Sequence, residues 1–135
     1  MPIDTASVRA LFAELAGDHP EHFFERVADD VDWTVLGTHP LAGRYRSKQA
    51  FRDGTFARLA PLFDPPLTLS VRDLVVAGDR AVVELSARAA TKQGVRFDND
   101  YCWVCRFARV DGRDTIVEVR AYLDSAMVAA AIARG

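Results

Sequence analysis

The length, composition and charge of this chain exclude several classes of protein. Its 135 residues suit one domain, expected to span residues 1–135, and half of them are hydrophobic, which is enough for a buried core. The formal net charge of −2 is opposite to the basic footprint of a protein that binds nucleic acid or a membrane surface, so neither partner is expected. The chain lacks the pattern of a signal peptide and any apolar run of membrane-spanning length. We therefore expect a cytoplasmic protein.

Helical and strand patterns succeed one another in the first half of the chain. Apolar residues recur every three or four positions in the helical segments, whereas apolar and polar residues alternate in the strands. In chain order, the predicted elements are a helix at 4–16, a short helix from Pro20 to Val27, a strand at 31–35, a short strand at 44–46 and a helix from Ser47 to near Pro65. A loop rich in glycine and proline, residues 37–43, separates the two strands.

The second half of the chain is mostly strand. Alternating residues predict strands at about 67–77, 80–91, 95–108 and 114–123, and a terminal helix follows at 124–134. Gln93-Gly94 and Asp111-Gly112 are typical hairpin turns between consecutive strands. Helices that come first, followed by a run of antiparallel strands, predict the α+β class, with the helices on one face of a curved sheet.

Both cysteines lie in the segment NDYCWVCRF, with the C-x-x-C spacing that redox and zinc sites share. Residues three apart in a strand point to opposite faces with Cα atoms roughly 10 Å apart, which is too far for a disulfide and unsuitable for shared ligation. Cys102 and Cys105 are therefore interpreted as small apolar residues of a sheet. The sequence shows no second cysteine pair, phosphate loop or nucleotide fingerprint, so neither a metal nor a cofactor is expected.

Strand alternation divides this segment into two faces. One face is bulky and mostly apolar, and it holds Phe97, Asn99, Tyr101, Trp103, Cys105 and Phe107. The other face holds Asp98, Asp100, Cys102, Val104 and Arg106. Large apolar walls with an amide, a phenol and an indole are typical of a small-molecule cavity, and a plain core face is the alternative.

Five segments of the chain resemble the nuclear transport factor 2-like superfamily, and within it the SnoaL-like and ketosteroid isomerase-like branch. They are LAGD at 15–18, ADDVDW at 28–33, the pattern of Gly37, Pro40 and Gly43, FDNDYCWVCRF at 97–107, and IVEVRAYLD at 116–124. The resemblance implies a single SnoaL-like domain with a cone-shaped, curved antiparallel sheet wrapped around N-terminal helices, an α+β barrel also called cystatin-like. It further implies a small-molecule pocket and a homodimer that pairs through the outer sheet face.

The acidic residues used by two groups of enzymes in this superfamily are absent from the matching positions. By resemblance, the steroid isomerases place a tyrosine, a base and an acid where this chain has Ala10, residues 33–35 and Trp103. The epoxide hydrolases place an arginine and two aspartates where this chain has Tyr101, Trp103 and Ala121. Both mechanisms are therefore disfavoured.

Three polar residues remain candidates for catalysis. His39 lies in the loop expected at the cavity mouth, and histidine is the residue type best suited to move a proton near neutral pH. Tyr101 and Asn99 are suited to bind a carbonyl oxygen and to stabilise the charge that develops on it. For each of the three, the alternative is a packing or hydrogen-bonding role. The expected ligand-binding wall consists of Trp33, Val35, Tyr45, Trp103, Val119, Ala121 and Leu123.

Two functions of different classes fit these residues. The first is a cofactor-independent enzyme that moves a proton on a small carbonyl or polyketide-like substrate, as an isomerase, cyclase or dehydratase. The second is a ligand-binding or dimerisation module without turnover, which the missing acids favour. A homodimer is expected in either case, because the outward sheet face is too apolar to stay fully exposed to solvent. The residues expected on this face are Val82, Glu84, Cys102, Val104 and Tyr122.

Overall fold

The N-terminal helical segments form one layer of the fold, which a computed structural model describes over residues 2–135. Helix α1 spans Thr5–Ala13 and is capped by Asp4, whose carboxylate accepts from the backbone N–H groups of the first turn. A 3₁₀ turn at Glu14–Ala16 and a longer 3₁₀ segment at Pro20–Arg26 continue this layer. Phe12 and Phe23 pack against Trp103 of the sheet, with ring centroids 6.1 and 6.2 Å away.

Six strands form one curved sheet in the order β2-β1-β6-β5-β4-β3. The strands are β1 Val27–Val35, β2 Gly43–Tyr45, β3 Ser70–Ala77, β4 Arg80–Ala90, β5 Arg96–Val110 and β6 Arg113–Tyr122. Strands β1 and β6 run parallel, and the other neighbouring pairs are antiparallel. The predicted α+β class is therefore confirmed.

The remaining helices cover the two ends of the concave sheet face. Helices α2 (Lys48–Gly54) and α3 (Phe56–Leu59) are followed by a 3₁₀ turn at Ala60–Leu62, and α4 spans Ser125–Arg134. Phe51 of α2 stacks on Trp33 of β1 with ring centroids 3.7 Å apart. Helix α4 packs against β5. Over the described residues, no helix is both long enough and apolar enough to cross a membrane.

The predicted division of β5 into an inner and an outer face is confirmed. Asn99 and Trp103 face the core, with 0 and 2 % of their surface exposed. Asp100 is exposed on the opposite face, where it forms ion pairs with arginines. Trp103 pairs with Val83 of β4 and Ala121 of β6, which are also buried, so the concave side of the sheet is a continuous apolar surface.

Two predicted boundaries near the N-terminal layer differ from the structure. The strand expected at 31–35 begins at Val27, which was predicted to be helical. The 3₁₀ segment ends one residue earlier, and Val27 pairs instead with Ile116 of β6. Strand β3 begins at Ser70 rather than 67, because the N–H of Leu69 donates to the carbonyl of Leu15 outside the sheet.

The helix predicted from Ser47 to near Pro65 is broken in its middle. The break is at Thr55, whose φ and ψ of −126° and −85° are not helical. The preceding Gly54 lies against the ring of Tyr45, and a Cβ atom there would come within 2.5 Å of that ring. The helical segment ends at Leu62. This close contact lies directly before the break, and helical periodicity does not reveal it.

Candidate functional site

A cavity of about 40 Å³ lies between the concave face of the sheet and helices α2, α3 and α4. We call it the inner cavity. Seven of the predicted site residues line it, namely Trp33, Val35, His39, Tyr101, Trp103, Ala121 and Leu123. Phe56 and Leu59 of α3 and Val128 of α4 contribute to the remaining wall. The wall is almost wholly aromatic and aliphatic, which is the composition of small-molecule sites.

The other three predicted site residues lie outside the lining of the inner cavity. The Tyr45 hydroxyl donates to the carbonyl of Leu41 at 2.8 Å, and burial raises the pKa of Tyr45. Val119 is fully buried in β6 beside Cys105. In this conformation Tyr45 and Val119 therefore lie behind the lining residues, and their role as ligand contacts remains a prediction. Asn99 is fully buried near Tyr101, at the base of α4.

Both ring nitrogens of His39 are held by the backbone of its own loop. The N–H of Leu41 donates to Nδ1 at 3.1 Å, so the ring proton is on Nε2, which donates to the carbonyl of Leu36 at 3.1 Å. The ring is 6 % exposed and lines the inner cavity with its carbon edge. In this conformation His39 has no free lone pair to accept a proton from a substrate.

The His39 loop is fastened to the start of helix α4. Gly37 has φ of +120°, and a Cβ atom there would come within 2.1 Å of Ser125 Oγ and 2.9 Å of His39 Cδ2. The N–H of Thr38 donates to Ser125 Oγ at 3.2 Å. The loop and the helix therefore close one end of the inner cavity together.

Two buried N–H donors at this site have no hydrogen-bond partner among the described residues. They are Nε1 of Trp33 and Nδ2 of Asn99, on side chains that are fully buried. The Oδ1 atom of Asn99 is satisfied, because it accepts from the backbone N–H of Asp124 at 3.1 Å. An unpaired buried donor costs about 1–3 kcal/mol. Such groups are unusual in cores, which makes this region a candidate for binding a hydrogen-bond acceptor.

The hydroxyl of Tyr101 is kept protonated by its surroundings. Burial raises the pKa of Tyr101 well above its ordinary value, and the nearby Asn99 side chain opposes this effect only in part. At neutral pH the phenol is therefore a hydrogen-bond donor. Together with the two unpaired N–H groups, it gives this apolar site donors and no carboxylate.

A second and larger cavity adjoins the first on the other side of α3. We call it the outer cleft; its volume is about 290 Å³. Phe56 and Leu59 line both spaces and separate them. The guanidinium of Arg52 lies 4.6 Å from the centroid of the Phe24 ring at the cleft wall. Sequence reasoning missed this cleft, although Arg52, Phe56 and Leu59 follow one another at helical spacing.

The acids of β5 lie outside both cavities. Asp98 pairs with Arg96, and Asp100 pairs with Arg88 at 2.9 Å and with Arg72 at 3.5 Å. Hydrogen bonds from Arg96 and from Arg88 lower the pKa of Asp98 and of Asp100 respectively. These carboxylates stay ionised on the outer surface, and none lines the inner cavity in the part of the chain described.

The sequence matches the SnoaL-like domain profile over residues 8–126. The chain belongs to the SnoaL-like domain family. A curated relative, the dimerizing cyclase phiC of a fungal species (strain ATCC 74256), is 27% identical over 121 residues. The match covers 87% of this chain and 52% of phiC, so the chain spans about half the length of that relative.

Solved structures agree with this family. An NTF2-like protein of Burkholderia thailandensis E264 superposes with a TM-score of 0.74 and 26% identity, over 93% of each chain. TerC, co-crystallised with polyporic acid, superposes with a TM-score of 0.72 and 18% identity, over 95% of this chain and 96% of its own. The second likeness shows a shared fold alone. The resemblance predicted from the sequence is confirmed, and the catalytic roles of individual residues remain predictions.

Proposed function

We propose that the protein is a cofactor-independent enzyme that moves a proton on a small carbonyl or polyketide-like substrate bound in the inner cavity. The observation that carries this proposal is the pair of buried, unpaired N–H donors, Trp33 Nε1 and Asn99 Nδ2. A substrate with more than one hydrogen-bond acceptor, such as a compound with several carbonyl oxygens, would satisfy them. The name of the relative phiC supports a cyclase type of reaction. Isomerisation and dehydration through an enolate need the same donors.

Each polar group has a distinct role in this scheme. Trp33 Nε1 and the Tyr101 hydroxyl donate to the substrate oxygen and stabilise the enolate charge, and Asn99 Nδ2 supplies a further donor near α4, outside the present lining of the cavity. His39 accepts the proton only after the N–H of Leu41 leaves Nδ1, which ties proton transfer to movement of the loop. The closed structure is therefore the resting state of the site.

A substrate also requires α3 to shift. The inner cavity, at about 40 Å³, holds little more than a water molecule, whereas ligand sites measure about 300 Å³ or more. Displacement of Phe56 and Leu59 would join it to the outer cleft of about 290 Å³. The break at Thr55 lets this short helix move separately from α2. The joined space reaches the size of a small polycyclic ligand.

A non-catalytic ligand-binding module is the second candidate function. It is favoured by the engaged nitrogens of His39 and by the lack of a carboxylate on the described wall of the inner cavity. Such a module would bind a carbonyl compound through the same donors but would not accelerate proton transfer.

Replacement of Tyr101 by phenylalanine is expected to slow proton transfer about 100-fold, because the reaction loses one donor to the developing oxyanion. The measurement follows hydrogen–deuterium exchange next to the carbonyl by NMR in D₂O, with a panel of small 1,3-diketones and aromatic hydroxyketones. Tyr122→Phe is the matched control, since Tyr122 is 46 % exposed on the outer sheet face. It should exchange at the wild-type rate.

Two results would count against the enzyme. Equal exchange rates for wild type and Tyr101→Phe would remove the phenol from the mechanism. If wild type binds members of the panel but accelerates exchange of none of them over buffer, the binding module is the better description. Binding is measured on the same samples from ligand line broadening, so the two functions are separated in one experiment.

We also propose that two copies pair through the outer face of β3–β6. Val75 and Tyr122 are 62 and 46 % exposed there, and Val82 and Val104 lie half-buried between them. Ion pairs of both signs flank this apolar stripe; they involve Asp100 with Arg72 and Arg88, and Glu118 with Arg80 and Arg106. A rim of mixed charge can be self-complementary, as a two-fold interface requires.

The expected mass in light scattering at micromolar concentration is twice the 14.9 kDa of one chain. Val104→Arg should shift the protein to the monomer, because a charge in the middle of the stripe is desolvated without a partner. Val110→Arg is the control, because Val110 is 40 % exposed at the end of the β5–β6 hairpin. A wild-type mass of one chain would refute the dimer.

A further inference from the structure

Two histidines and a glutamate come together at the start of the 3₁₀ segment Pro20–Arg26. His19 precedes the segment, and His22 lies within it, one turn after His19. The backbone N–H of His22 donates to the His19 carbonyl at 3.0 Å. In a 3₁₀ helix, side chains three residues apart are aligned. The two imidazoles accordingly stack, with ring centroids 5.0 Å apart and an interplanar angle of 21°. The backbone therefore holds both rings on one side.

Glu21 supplies a third ligand atom to the same point. Its Oε1 lies 3.1 Å from Nδ1 of His19, and one ligand atom from each of the three residues lies within 4.8 Å of the other two. Ligands of a tetrahedral zinc ion are roughly 3.4 Å apart, as follows from metal–ligand distances of about 2.0–2.2 Å. Side-chain rotation at these exposed residues is enough to close the remaining gap.

We propose that His19, Glu21 and His22 form a binding site for a divalent transition-metal ion such as Zn²⁺ or Co²⁺. Two imidazole nitrogens and a carboxylate oxygen are a ligand set for borderline metals and not for Mg²⁺ or Ca²⁺. The side chains of His19 and Glu21 are 66 and 52 % exposed, so the ion can reach them and its other positions stay open to water. No metal was expected from the sequence.

The site lies at the rim of the outer cleft. Pro20 and Glu21 line that cleft together with Arg52. A bound divalent ion would replace the negative charge of the Glu21 carboxylate at the rim with net positive charge. Metal binding would therefore make the cleft more attractive to an anionic ligand, whatever reaction the inner cavity performs.

The test uses the full chain without a histidine tag. Titration with Co²⁺, followed by its visible absorption, and calorimetric titration with Zn²⁺ should each show one ion per chain. His19→Ala and His22→Ala are each expected to weaken binding about 10-fold or more, since even outer partners of metal ligands contribute that much. Glu25→Gln changes an exposed acid on the same segment outside the cluster and should leave the affinity unchanged.

Thermal unfolding provides a second measurement that does not depend on activity. Zn²⁺ should raise the melting temperature of the wild type and not that of the His19→Ala/His22→Ala double variant, because a ligand that binds only the folded site stabilises it. Without metal the two proteins should melt alike, since both side chains are exposed. Absence of binding at millimolar Zn²⁺, or binding that survives the double substitution, would overturn the site.

Discussion

Trp33→Phe is expected to lower the proton-transfer rate about 100-fold while leaving the free energy of unfolding unchanged or raising it by up to about 1 kcal/mol. Loss of a buried tryptophan normally destabilises a core, because a smaller side chain leaves a cavity that costs about 1 kcal/mol or more. Here the substitution also removes Nε1, a buried donor without a partner, and so relieves a cost of about 1–3 kcal/mol.

The control for Trp33→Phe is Phe12→Leu in the same aromatic cluster. Both residues are fully buried, but Phe12 carries no polar atom, so its truncation should cost about 1 kcal/mol or more with no compensation. Urea unfolding gives both free energies, and the deuterium exchange assay gives the rate. If Trp33→Phe loses as much stability as the control and keeps its activity, the indole N–H has no functional partner.

Gly37→Ala is expected to lower the free energy of unfolding on the order of 3 kcal/mol and to abolish most of the activity. The backbone at Gly37 has φ of +120°, which side chains rarely adopt, and an added Cβ would meet Ser125 Oγ at 2.1 Å. The loop must then leave helix α4, which displaces His39 from the wall of the inner cavity.

Gly43→Ala is a control that separates the cost of backbone strain from the cost of a steric clash with the added Cβ. Gly43 ends the same loop with φ of +148°, but nothing lies within 4 Å of the position of its Cβ. Gly43→Ala should therefore lower the free energy of unfolding only by the cost of the strained backbone conformation, about 1–2 kcal/mol. Adding Ser125→Gly to Gly37→Ala removes the nearest colliding atom and should recover part of the loss. Equal losses at both glycines, without recovery, would mean that the contact with α4 does not matter.

The inner wall of the site was predictable because strand alternation is a local rule. A two-residue period fixes which side chains of β5 share a face, so Tyr101 and Trp103 could be placed without knowledge of the partner strands. The same rule applied to β1 and β6 identified Trp33 and Ala121. Val119 obeys the alternation as well and is fully buried, but it does not line the inner cavity.

The remaining features depend on contacts between distant residues. The break at Thr55 lies next to the close contact between the Tyr45 ring and Gly54, and the outer cleft arises where two helical layers meet. The family resemblance placed His39 near the cavity mouth, yet the hydrogen bonds that occupy its nitrogens depend on the loop conformation. Neither the break nor the cleft produces a repeating pattern in the sequence, because the residues in contact at each of them lie in different elements.

The planar side-chain amide of Asn99 connects the buried face of the sheet to helix α4. The oxygen of this amide accepts from the backbone N–H of the residue before α4, and the nitrogen of the same amide lies near Tyr101 without a hydrogen-bond partner among the described residues. A planar amide cannot turn one end without the other. A molecule that binds the nitrogen would therefore also fix the oxygen that holds Asp124, which would couple ligand binding to the position of the C-terminal helix.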